Sequence, residues 1–255
     1  MKKEWNNTCN ENNKNLIENC IVNFQSQGKY FVQGQRNAIK LFEIDGITLN
    51  IKSFKKPNLV NKIAYRYFRK SKARRSFEYA SKLMDLGIGT PKPIAYFENF
   101  DFIGLNESYY VCEHLEDGFE FRALVQNEDF NQRESIIRQF VGFSYQMHQK
   151  GVEFLDHSPG NTLIKDNNDG TYSFYLVDLN RMKFHESIDF QTRMKNLSHL
   201  TPQKGMIVIM ANEYAKVSGE NENTVFETMW KFTEEFQYRY HRKKRLKKNL
   251  KFWKK

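Results

Sequence analysis

Leu155-Asp-His-Ser-Pro-Gly-Asn161, followed by Tyr175-Leu-Val-Asp178, is the stretch on which the reading of this chain turns. It holds an acid, an amide five residues later, and a second acid at the end of an apolar run. Taken singly, Asp156 and Asn161 beside Pro159-Gly160 are ordinary turn formers, and an Asp closing a strand is no rarer. Taken together they match what phosphoryl transfer requires: a carboxylate to accept a hydroxyl proton, and oxygen ligands for magnesium.

Working outward, Ile136, Ile137, Phe140, Val141 and Met147 share one helical face that runs to a stop at Gly151. Asn131 with Glu134 has the spacing of a capping box at its start. Behind the stretch, residues 162–164 and 172–178 read as strands joined by a polar hairpin loop, and residues 202–217 and 224–251 as helices. Far ahead of it, residues 28–32 and 38–44 read as strands around Gly34-Gln-Arg-Asn37, and Asp45-Gly46 turns the chain into a third strand, 47–54. One helix is expected over 59–86 with Gly87 as its stop, then a breaker cluster at 89–93, strands at 94–97 and 108–112, and a connector beginning at Glu113.

The 255 residues, 40% hydrophobic, can bury a sizeable core in one large domain or two packed lobes. A lobe boundary near residue 113 divides the chain into a polar extension (1–27) whose order the composition leaves open, a first lobe (28–112), a second lobe (113–238) and a basic aromatic tail (239–255). Cys9, Cys20 and Cys112 are scattered, which suits reduced thiols in a cytosol-like compartment. The tail carries ten Lys or Arg and no acid, so the net charge of +10 resides there and the remainder is balanced. Leu246, Leu250, Phe252 and Trp253 interleave those cations, a composition that would suit an anionic membrane surface, nucleic acid or a plain solubilising end. No apolar run has the length of a secretory signal or a membrane span, so a cytoplasmic, peripheral protein is expected.

The order strand Lys52, helix Glu78, breaker, strands, connector, helix, Asp156-x4-Asn161, strand, Asp178 resembles the protein-kinase-like fold. More narrowly, Lys72-Ala-Arg-Arg-Ser-Phe-Glu78, Leu86-Gly-Ile-Gly-Thr-Pro91, Met147-His-Gln-Lys-Gly151, the opening stretch and Val177-Asp-Leu-Asn-Arg181 look like the bacterial lipopolysaccharide core kinases, which phosphorylate Kdo or heptose sugars. The resemblance covers about residues 28–200. It implies an α+β, two-lobed fold, with an antiparallel sheet and one main helix in the amino-terminal lobe and a small, mostly helical carboxy-terminal lobe.

By the same resemblance, the activity is ATP-dependent phosphorylation of a sugar hydroxyl on a lipopolysaccharide-core or related glycolipid acceptor at the cytoplasmic membrane face, with Mg2+. Asp156 would be the catalytic base. Asn161 and Asp178 would be the metal ligands, Lys52 would contact the α- and β-phosphates, and Glu78 would hold Lys52 by an ion pair. Gly34 and Arg36 would lie at the phosphate-covering turn, the backbone from Glu113 to Leu115 would meet adenine, and residues 191–201 would line the acceptor side. His148 reads as a packed histidine bonding the catalytic loop, and His157 and His185 lack zinc-site spacing. Phe154, Leu155 and Asn180 depart from the usual kinase His, Arg and Gly. These departures motivate the alternatives: a membrane-associated pseudokinase or interaction module, or a kinase of another small molecule or of protein.

Overall fold

The structure is a computed structural model describing residues 1–7, 9–34 and 37–252, with side chains as far as Lys247. Its contacts divide it into two compact units, Met1–Glu116 with Leu176–Arg181, and Asp117–Tyr175 with Met182–Lys255.

In the first unit, β1 (Lys2–Trp5), β2 (Lys29–Gln33), β3 (Asn37–Ile44), β4 (Ile47–Phe54), β5 (Pro93–Phe100) and β6 (Leu105–Glu113) form one antiparallel sheet in the order β1-β5-β6-β4-β3-β2. Asp45 and Gly46, both at positive φ (49° and 75°), supply the two-residue turn between β3 and β4 that the sequence predicts. Alternation along β4 buries Leu49 and Ile51 on one face, Phe54 is buried on the other with Lys52 Nζ over its ring, and the pairing sets Lys52 between Ile39 of β3 and Tyr110 of β6.

The first 27 residues are built into this unit rather than extending from it. β1 pairs with the edge of β5, and α1 (Glu11–Val22), capped by the Asn10 side chain, buries Ile17 and Ile21 with Phe24 against Phe42, Ile44 and Leu49. Two isoleucines four apart among Asn, Glu and Lys are a thin stripe, which is why composition alone showed no element. The fixing group is Lys40, 2% exposed, whose ammonium donates to the carbonyls of Phe24 (2.7 Å), Gln25 (3.2 Å) and Gln27 (2.8 Å) beyond the end of α1.

The single helix expected over 59–86 is two. In α2 (Leu59–Tyr67) the amides of Phe68 and Arg69 both return to the Ala64 carbonyl (2.9 and 2.8 Å) and end the helix, and Ser71 then caps α3 (Lys72–Asp85) by accepting from the Arg74 amide at 3.0 Å. Neither Gly nor Pro marks the break; Ser71 is its one local signal.

The second unit begins with β7 (Gly118–Glu120) and α4 (Arg122–Gln126), and its main helix is α5 (Arg133–Gln149). The expected capping box fails: Gln132 takes a left-handed conformation (φ 56°) at the N-cap, and Glu134 pairs with Arg138 at 2.7 Å. The apolar face of α5 is as expected, with Ile136, Ile137, Phe140, Val141 and Met147 fully buried. β8 (Val152–Phe154), β9 (Thr162–Asp166), β10 (Tyr172–Leu176) and β11 (Met182–Phe184) make two small sheets, β10-β9-β7 and β11-β8. α6 (Phe190–Leu197), α7 (Lys204–Ser218) and α8 (Glu222–Phe252) complete the unit, and Met206, Ile207, Met210 and Tyr214 of α7 join the face of α5 in its core. The basic tail continues α8 as far as Phe252; Trp253 and the side chains of Leu250 and Phe252 lie outside the described residues. Among the described residues no helix is long and apolar enough to cross a membrane.

Candidate active site

Two groups of the expected site residues lie in the first unit. Lys52 Nζ donates to Asp178 Oδ1 at 2.7 Å, and Asn180 Nδ2 donates to the same oxygen at 2.7 Å. Both bonds fall on Oδ1, and neither uses Oδ2. Asp178 is a non-glycine residue at φ 58°, a conformation that costs energy and recurs where a side chain must be aimed. Leu176, at the end of β10, is stitched to the sheet side by its amide to Gly89 O (2.9 Å) and by Thr90 Oγ1 to its carbonyl (2.9 Å). The residue that follows the carboxylate by two, where the resemblance expected Gly, is therefore a positioning residue: Asn180 orients Asp178.

Glu78 does not pair with Lys52. Its oxygens accept from Arg74 Nε and Lys70 Nζ, each at 2.8 Å, and these cations hold its carboxyl below the usual value against the opposing effect of burial. The reason is local: Arg74 lies one turn earlier on α3, at the i,i+4 spacing that brings side chains together. In the connector after β6, the Glu113 amide donates to Lys92 O (2.9 Å) and the His114 amide to Thr48 O (2.8 Å), while among the described residues the Leu115 amide donates to no backbone carbonyl. The Gly34 amide closes its turn on Asn37 O at 3.1 Å; Arg36 lies outside the described residues.

The second unit holds the opening stretch as a braced loop. Asn161 Nδ2 donates to the Asp156 carbonyl (2.8 Å), which turns the amide oxygen Oδ1 away as an acceptor for a cation. The amides of His157, Asn161 and Arg122 go to the carbonyls of Phe154 (3.1 Å), Ser158 (2.9 Å) and Pro159 (2.8 Å). Asp156 is half-buried at the middle of these contacts.

The loop is anchored by a buried relay that sequence reasoning saw only in part. Asn196 Nδ2 donates to the Phe154 carbonyl at 2.7 Å, and its Oδ1 lies 3.1 Å from His148 Nε2. That assigns the proton to Nε2 and leaves Nδ1 to accept from the Tyr214 hydroxyl at 3.0 Å. His148 thus supports the loop through Asn196 rather than by bonding it. Nothing in an Asn in the last turn of α6 announces this. Phe154, standing where kinases often carry His, is fully buried, and His157 packs beside it and Phe140 (ring centroids 5.7 and 5.6 Å) with neither ring nitrogen hydrogen-bonded among the described residues.

Burial holds His148 down to about 4 and His157 down to about 3, from an ordinary value of 6.5. The unfolded chain takes up protons on these rings that the folded chain refuses. The stability this confers is therefore complete above about pH 6.5 and is lost as the pH falls through about 4. The midpoint of thermal unfolding is expected to fall over that window, and less steeply in His148→Gln. A level midpoint would contradict neutral, buried rings.

Asp178 in the first unit and Asn161 in the second each offer an oxygen, one from a carboxylate and one from an amide, and oxygen is the donor magnesium takes, ordinarily from one or two protein ligands together with substrate phosphates. Among the described residues no three His, Cys, Asp or Glu gather as a metal cage.

A family model described as lipopolysaccharide kinase (Kdo/WaaP) matches residues 25–218. The solved structure of WaaP in complex with acyl carrier protein aligns with a TM-score of 0.63 at 16% identity, covering 95% of this chain and 99% of that one. A Stt7 homologue from Micromonas algae, soaked with ATP, aligns with a TM-score of 0.41 at 14% identity, covering 60% and 48%. Comparison with curated protein sequences gives no match.

Proposed function

The chain belongs to the lipopolysaccharide kinase (Kdo/WaaP) family, phosphotransferases acting on sugar hydroxyls, and from that premise we propose that it transfers the γ-phosphoryl group of ATP to a Kdo- or heptose-like sugar of a lipopolysaccharide-core glycolipid. Asp156 accepts the proton of the attacking hydroxyl. The sugar oxygen forms its bond to the γ-phosphorus as the bond to the ADP oxygen breaks. Lys52 binds the nontransferred phosphates, and the Leu115 amide meets the purine. Asn161 and Asp178 would hold magnesium, which supplies neutralisation of the phosphate charge. The charge-relevant observation that carries the reading is the 2.7 Å pair of Lys52 with Asp178: a phosphate-binding cation and a metal-binding carboxylate are matched across 126 residues of sequence.

The test is transfer of labelled γ-phosphate from Mg-ATP to Kdo-terminated and heptose-terminated lipid A precursors by the full chain. Lys52→Met is expected to lower kcat/KM by about a hundredfold, with the Tyr96 and core packing signals of the fold unchanged. No label on any such acceptor would sink the acceptor assignment. Binding of Mg-ATP, seen as a thermal shift without any turnover, would leave the pseudokinase reading standing instead.

The acceptor is lipid-linked in this reading, and the ten cations of residues 239–255 support work at an anionic membrane face. Deleting those residues is expected to weaken sedimentation with anionic vesicles while the core stays folded; undiminished sedimentation would remove the tail from that role.

A further inference from the structure

α2 packs the wrong way round for a helix of a water-soluble domain. None of its residues is buried. Its cationic side faces the protein: Lys62 pairs with Asp101 of the β5–β6 hairpin, and Arg66 Nη1 donates to the carbonyls of Asp101 (2.9 Å) and Phe102 (3.0 Å). The fit is close, since a Cβ on Gly104 of that hairpin would collide with the Lys62 carbonyl. With the polar side clamped inward, the apolar side is turned out. Leu59, Val60, Ile63 and Tyr67, spaced along one face, and Phe68 at the C-cap are all exposed, Val60 by 75% and Phe68 by 82%, and Phe102 of the hairpin by 91%. Lys55 and Lys56 precede the helix and Arg69 and Lys70 follow it, all four exposed. Lys56 and Lys70 also meet Glu107 (2.9 Å) and Glu78 (2.8 Å).

We propose that α2, with Phe102, docks on an anionic lipid surface, its apolar face inserted at the boundary of headgroups and acyl chains and its flanking cations among the headgroups. Two observations select this occupant. Between Gly46 and Phe77 the chain carries ten Lys or Arg and no acid, and of these Lys55, Lys56, Arg69 and Lys70 flank the exposed apolar side chains, which complements anionic lipid. The apolar side chains stand on the outside of a single helix rather than lining a groove, the arrangement by which interfacial helices enter a bilayer. Aromatic groups at one end, Tyr67 and Phe68, are the kind that settle at headgroup level.

This surface is separate from residues 239–255, and the inference does not rest on the kinase reading, because binding is read without ATP or acceptor. The full chain is sedimented with phosphatidylcholine vesicles containing phosphatidylglycerol, and with pure phosphatidylcholine. Val60→Asp combined with Phe68→Asp is expected to weaken partitioning into the anionic vesicles on the order of a hundredfold. Both side chains are exposed, so thermal unfolding should be unchanged, and Val22→Asp, at an exposed site elsewhere in the first unit, should bind as the parent does. Undiminished binding of the double variant, or no binding of the parent, would overturn the proposal. Equal loss of binding to polyglutamate would reduce the surface to a general anion face and overturn the lipid assignment. A parent that sediments as a dimer and a double variant that sediments as a monomer would make it a self-association face and overturn it as well.

Discussion

Asp156→Asn is expected to lower kcat for sugar phosphorylation by about a thousandfold while leaving KM for ATP nearly as it was. The substitution keeps the size of the side chain and removes only its basicity, so it asks whether a carboxylate must receive the hydroxyl proton. The loop should hold its shape. It is braced through the Asp156 carbonyl, which accepts from Asn161, and the Phe154 carbonyl, which accepts from Asn196, and neither contact is touched. Measured beside it, Asp178→Asn should fail differently, because it disturbs the oxygen that receives both Lys52 and Asn180; its loss should appear in ATP and magnesium dependence as well as in kcat. A turnover number unchanged in Asp156→Asn would remove Asp156 as the base.

Gly151→Ala is expected to destabilise the protein by about 4 kcal/mol, lowering the unfolding midpoint on the order of 10 °C. Gly151 sits at φ 70°, and a Cβ built on it would collide with the His185 carbonyl oxygen. A backbone atom cannot swing aside as a side chain can. The same residue gives its amide to His148 O (3.0 Å) and takes the His185 amide on its carbonyl (2.8 Å), so yielding would part β8 from β11 just ahead of the catalytic loop. The comparison is Gly142→Ala in the middle of α5, where an added Cβ meets nothing within 4 Å. That change should stabilise by about 0.5–1 kcal/mol. If calorimetry found the two alike, the close approach at Gly151 would be wrong.

Much of this architecture was legible because its signals are local. Asp45-Gly46 dictates its own turn, the spacing from Ile136 to Met147 dictates a buried helical face, and the kinase-like order of Lys52, Asp156, Asn161 and Asp178 survives in one dimension. What was illegible depends on partners distant in the chain or on competition among near ones. Lys52 could be paired on paper with Glu78, but Arg74 stands one turn from Glu78 and Lys70 just before the helix, and proximity along the chain gave them the carboxylate. Asn196 and Tyr214 are unremarkable in their own helices and acquire a role only where α6 and α7 meet His148. The exposure of the apolar side of α2 was not legible either, because periodicity reports that one side of a helix is apolar and not where that side points. The one-helix reading of residues 59–86 failed for a related reason, since a lone Ser can begin a helix or lie within one.

Lys40 has a consequence for how the amino terminus can be watched. Its ammonium has three hydrogens, and the carbonyls of Phe24, Gln25 and Gln27 accept from it beneath the end of α1. An acylating reagent needs an exposed, deprotonated amine, so this lysine should stay unlabelled while its surface neighbours react. Label found at Lys40 would count the molecules whose first helix has come away from the sheet, making one amine a tally of undocking that needs no engineered probe.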